Sequence, residues 1–124
     1  MKSSGILNAR LAGLIAGLGH TDSLVIADAG LPIPRGVEAV DLAVRLGVPG
    51  FWPVLDAVLA EMVVEAAFVA EEAGALMADF ERRLPVKTVS HEELKRMSAA
   101  ARVVVRTGEG TPYANIVLQA GVAF

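Results

Sequence analysis

Three observations predict a single α/β domain, with a mixed or largely parallel sheet flanked by helices. First, 124 residues suffice for one domain with a real core and leave no room for two, so residues 1–124 are expected to form one unit. Second, Leu24, Val25, Ile26 and Ala27 make a continuous apolar run between turn signals, the pattern of a strand buried on both faces. Third, such short runs alternate with helical patterns along nearly the whole chain, without repeats or low-complexity stretches.

The elements follow in order. Asn8 is placed to cap a helix whose face carries Leu11, Leu14, Ile15 and Leu18, and Gly19 ends it. Gly13, Gly17 and Gly19 do not form a dinucleotide loop, because such a loop follows a strand and these glycines lie in the helix. After the buried strand, AGLPIPRG is a stiff loop: Pro32 and Pro34 enforce extended backbone, and Gly30 and Gly36 permit turns. Glu38 to Val44 alternates, with Val40, Leu42 and Val44 on one face, and predicts a second strand. Pro53 suits the first residue of a helix with Val54, Leu55, Val58 and Leu59 inward, ending near Glu61. Met62 to Ala70 fits a strand or a buried helix by period, and the α/β alternation favours the strand. Glu71 to Leu84 reads as a helix with acidic residues first and Arg82 and Arg83 last, stopped by Pro85. Val86 to Val89 is a short strand, and Ser90 with Glu93 forms a capping-box pattern opening a helix through Met97. Arg102 to Arg106 and Ile116 to Leu118 complete the strands, joined through the turn GEGTP.

Composition narrows the function classes. The chain is 54% hydrophobic but only 5% aromatic, and its mean hydropathy of +0.54 is high for a small monomer. A membrane span does not account for this, since the best candidate, Val58 to Ala70, is broken by Glu61 and Glu65. Burial against copies of the same chain does. A formal net charge of -3 with no basic stripe argues against a nucleic-acid partner. The absence of cysteine excludes disulfides and thiolate chemistry. MKSSGILNAR has no signal-peptide apolar region, so a cytoplasmic location is expected.

Few residues are suited to chemistry. His20 follows the glycine that ends the first helix, where it can cap that helix, or act as a proton donor and acceptor near neutrality. Asp28 leaves the buried strand at its carboxyl end, the usual place for a site in an open α/β sheet, although it can equally brace the AGLPIP turn. Asp22 is turn or cap. His91 opens a helix, where a solvated imidazole is common. In PYAN, Tyr113 and Asn115 share a face if the segment is extended, offering a phenol and an amide, or else they form a hydrogen-bonded strand start. Trp52 reads as a core or subunit contact in preference to a ligand platform. GEGTP lacks the lysine of a phosphate loop, and neither histidine has a ligand spacing, so no metal is expected.

Five segments together resemble one family: GHTD at Gly19 to Asp22, DAGLPIP at Asp28 to Pro34, EMVVEAA at Glu61 to Ala67, SHEELK at Ser90 to Lys95, and PYANIVLQAGV at Pro112 to Val122. The chain is similar over almost its full length to the ribose pyranase and fucose mutarotase family. That resemblance implies an α/β fold assembled into homo-oligomeric rings, typically decamers of two pentamers, with sites near subunit contacts. It implies His20 as the proton donor, Asp28 as a sugar contact, and His91, Tyr113, Ala114 and Asn115 as the rest of the pocket. It further implies interconversion of β-D-ribopyranose and β-D-ribofuranose without a cofactor. DAGLPIP favours the ribose branch over the fucose branch; a mutarotase for another free sugar and a non-catalytic sugar-binding protein are the alternatives. Glu72 to Val89 departs from the family by being shorter than in many relatives.

Overall fold

The continuous apolar run becomes the centre of a sheet because both of its faces are covered. In the computed structural model, which describes residues 1–124, β1 (Ser23–Ala27) lies between β5 (Val103–Arg106) and β6 (Ile116–Ala120). The six strands run in the order β2-β5-β1-β6-β3-β4, with β2 (Glu38–Asp41), β3 (Val64–Ala70) and β4 (Lys87–Val89) completing the set. β6 is antiparallel to both of its neighbours, whereas β1 with β5, β2 with β5 and β3 with β4 pair in parallel. Five strands therefore point one way, and the mixed sheet expected from the sequence has its single reversed strand in the interior.

Alternate side chains feed two unequal cores. Leu24 and Ile26 of β1, Val103 and Val105 of β5, and Ile116 and Leu118 of β6 join a cluster of 21 buried residues. The helices α1 (Ala9–Gly17), α2 (Phe51–Leu59) and α3 (Met77–Glu81) contribute Leu11, Leu14, Phe51, Leu55, Val58 and Phe80 to it. Val25, Val104 and Val117 face the other way, into 8 buried residues that include Leu94 of α4 (His91–Ser98) and Leu31 of the AGLPIP loop. This two-sided burial explains why β1 lacks polar alternation. No helix is long and apolar enough to cross a membrane.

Local signals account for most helix ends. Asn8 caps α1, its side chain accepting the Leu11 N–H at 2.9 Å. Ser90 caps α4 by accepting the Glu93 N–H at 3.1 Å, but the reciprocal half of the capping box does not form. The Glu93 carboxylate instead pairs with Arg96, and the His91 N–H at the start of α4 donates to Glu72.

Three elements differ from the sequence reading. The second strand stops at Asp41, and Val44 is exposed, because the chain turns at Ala43 to Pro49 and clasps Gly108. Gly47 N–H donates to the Gly108 carbonyl at 2.6 Å, and Gly108 N–H to the Pro49 carbonyl at 2.8 Å. α2 begins at Phe51, two residues before Pro53, since the Glu109 carboxylate from the loop after β5 accepts the Phe51 N–H at 3.0 Å. Pro53 still lies in the first turn, where no intrahelical N–H is needed. Finally, the helix expected over Glu71 to Leu84 is a 3₁₀ segment (Glu71–Leu76) kinked at Ala73, followed by the short α3. Gly74 weakens helix there. Arg82 and Arg83 lie past the end of α3, where Arg83 pairs with Asp56 at 2.6 Å and stacks over Trp52.

Candidate active site

The carboxyl ends of parallel strands and the amino end of β6 lie at the same end of the sheet, where loops beyond them form a cleft of about 640 Å³. Asp28 is the first residue after β1. Its Oδ1 accepts the N–H groups of Gly30 at 3.0 Å and Leu31 at 2.8 Å, so it does brace the AGLPIP turn. Its remaining oxygen accepts Asn115 Nδ2 at 3.2 Å, while Asn115 Oδ1 accepts the Asp28 N–H at 2.8 Å. Asn115 is fully buried beside the start of β6, and this reciprocal pair fixes the Asp28 carboxylate toward the cleft.

His91 reaches the same cleft from the first turn of α4, and Tyr113 from the loop before β6. Their rings meet edge to face with centroids 5.0 Å apart. His91 Nδ1 is buried and has no hydrogen-bond partner in the chain, which differs from the solvated imidazole expected of a first-turn histidine. Leaving a buried ring nitrogen unpaired is costly, and other atoms of His91 line the cleft. Tyr113 has φ +65, a left-handed backbone unusual for a bulky residue, so PYAN is a turn and not an extended segment. Tyr113 and Asn115 consequently do not share a face: the phenol is exposed at the rim and the amide is buried beneath it. Ala114 is also buried and packs into the larger core.

Glu109 and Lys95, which the sequence reading did not single out, line the cleft as well. The Phe51 N–H, supported by Thr111, holds the Glu109 carboxyl below its ordinary range. Its signal lay in GEGTP, an acidic side chain in a loop after a buried strand. Trp52 is remote from the cleft, packed edge-on against Phe51 and Phe80, as the core reading expected.

His20 stands elsewhere. It precedes β1, whose five residues alone span about 16 Å, so His20 and Asp28 mark opposite ends of one strand. It does not cap α1, whose C-cap is Leu18. A tight turn presents it: Thr21 has φ +72, and Asp22 accepts the Gly19 N–H at 2.8 Å while pairing with Arg102. The imidazole is more than half exposed, with Nε2 2.7 Å from Glu65 Oε2. Within one copy of the chain, then, Asp28, His91, Tyr113 and Asn115 come together and His20 does not join them. No group of three metal-ligating side chains is assembled in the chain.

Residues 1–123 match the RbsD / FucU transport protein family. The chain belongs to that family. Among curated RbsD / FucU relatives, it is 57% identical to D-ribose pyranase 1 of Rubrobacter xylanophilus, with all of both chains covered. The structure of Bacillus subtilis RbsD complexed with D-ribose superposes with a TM-score of 0.91 at 44% identity, again over all of both chains. The fucose mutarotase of Streptococcus pneumoniae, solved with L-fucose, shares the fold with a TM-score of 0.80 at 22% identity, covering all of both chains.

Proposed function

We propose that this chain is a D-ribose pyranase, interconverting β-D-ribopyranose and β-D-ribofuranose by acid-base opening and reclosure of the ring. The observation that carries the reading is the cleft built on Asp28, His91 and Tyr113 in a fold shared along its whole length with an RbsD that binds D-ribose. Asp28 is held in place yet retains one lone-pair site for a sugar hydroxyl, His91 lines the cleft, and Tyr113 adds a phenol at the rim. Such a site can hold a pentose so that the required hydroxyl faces the aldehyde of the open chain.

Opening needs a proton on the ring oxygen while the anomeric hydroxyl loses one. His20 is the donor in this reading. One positioned proton-transfer group contributes about 100 to 10,000-fold, or about 3 to 5 kcal/mol of barrier, which is enough for a reaction that water already permits. Because His20 lies at the far end of β1 from Asp28, a complete site takes the His20 end from one copy and the cleft from another. The exposed apolar side chains Leu7, Leu46 and Phe124 support such an assembly, and a decamer of two pentameric rings is the form we favour. A cytoplasmic location goes with the same reading.

Saturation-transfer NMR on equilibrated D-ribose tests this. Wild-type protein is expected to accelerate pyranose-furanose exchange, and a folded His20→Ala variant to lose that acceleration. Exchange unchanged by wild-type protein would end the pyranase reading, and L-fucose would be the next sugar examined.

A further inference from the structure

Glu65 is the only charged residue on β3, and the strand is irregular at that residue. Val64 pairs with Ala120 and Ala66 with Gln119, so Glu65 is the extra residue of a bulge. Bulges re-aim side chains, and this one sends the carboxylate to His20 on the neighbouring turn. Both carboxylate oxygens are engaged: Oε2 lies 2.7 Å from His20 Nε2, and Oε1 accepts Gln119 Nε2 at 2.9 Å. Gln119 on β6 thus fixes the carboxylate, and the carboxylate fixes the ring.

An ionised carboxylate only accepts hydrogen bonds, so the hydrogen between Oε2 and Nε2 belongs to the imidazole in both of its protonation states. The neutral ring then carries its proton on Nε2, and its basic lone pair is on Nδ1, which has no partner within the chain. We propose that Glu65 is the positioning residue of His20, locking the tautomer so that Nδ1 is the nitrogen that exchanges protons with the sugar. This rests on the pyranase reading above. In the opening step the Nδ1 proton passes to the ring oxygen as its bond to the anomeric carbon breaks. The anomeric hydroxyl gives its proton to water and becomes the aldehyde oxygen, and that water returns the proton to Nδ1. Closure through another hydroxyl retraces the same transfers, with Nε2–H remaining on Glu65 throughout.

A purely structural pair predicts something different. Exposed ion pairs contribute little to stability, and His20 and Glu65 are 56% and 38% exposed. Removing Glu65 should therefore leave folding intact, and an effect on turnover would have to come through His20.

The test compares wild-type protein with Glu65→Gln and Glu65→Ala, using ribose exchange kinetics, thermal melting and long-range proton-nitrogen NMR of the His20 ring. Wild-type protein at a pH where the ring is neutral is expected to show the Nε2–H tautomer, and both variants to lose that preference. Their kcat should fall about tenfold or more, part of the factor a general acid supplies, with KM and melting temperature little changed. A dominant Nδ1–H tautomer in the wild-type protein, or full kcat in Glu65→Ala, overturns the proposal while leaving the pyranase reading in place. Full exchange by His20→Ala overturns both the assignment of the acid and the proton route drawn from it.

Discussion

At the scale of single residues, the cleft depends on side chains whose roles are fixed by hydrogen bonds that spacing alone does not reveal. Asn115 is the example. Its amide satisfies both the N–H and the carboxylate of Asp28 from a fully buried position. Asn115→Ala should cost about 1 to 3 kcal/mol by leaving those groups unpaired, measurable by urea titration, and should weaken ribose exchange as Asp28 loosens. Glu109 predicts a pH dependence. Its folded pKa is lowered, chiefly by the Phe51 N–H, so its stabilising contribution is complete above the ordinary carboxylate range. That contribution disappears as pH falls through the lowered value. The stability difference between wild-type protein and Glu109→Gln should accordingly be largest near neutrality and shrink in acid, as denaturant titrations at several pH values would show. Asp28 was legible as a candidate because it leaves a buried strand, and His91, Tyr113 and Asn115 because the SHEELK and PYAN segments resemble those of the family. Their arrangement was not. The left-handed Tyr113 breaks the alternation on which a shared face depended, and Glu65 and Glu109 act through partners 45 and 58 residues away.

At the scale of elements, most segments governed by local signals match their sequence reading, whereas the second strand and the start of α2, governed by distant contacts, do not. Asn8 and Ser90 cap the helices that their positions suggested, and both faces of β1 are buried. Ser90→Ala should lower stability by about 1 kcal/mol, with the melting transition as the readout. The short second strand and the early start of α2 were hidden because the loop after β5 decides both. Gly108 is where that loop is tightest: a Cβ there would lie 2.5 Å from the Arg45 carbonyl and 2.7 Å from that of Val48. These are backbone atoms that cannot rotate away. Gly108→Ala should therefore destabilise by about 1 to 3 kcal/mol and displace Glu109 from α2. A melting temperature equal to that of the wild-type protein would contradict this account of the clasp.

At the scale of the whole molecule, the apolar excess seen in the composition is unburied in one copy. Only 33 of 124 residues are buried, while Leu46 and Leu7 are 71% and 65% exposed and Phe124 is fully so. Light scattering at micromolar concentration should find a mass several times that of one chain, and a monomer would remove the assembly from the proposed function. On the proposed reading, with His20 as the acid and Asp28 in the cleft, their separation along β1 would make that assembly a condition of activity. It also permits genetic complementation between two dead proteins. His20→Ala would keep an intact cleft and Asp28→Ala an intact imidazole, so each is expected to be inactive alone. Dissociated and reassembled together in equal amounts, they should form mixed particles in which about one quarter of the sites draw both good halves from different copies.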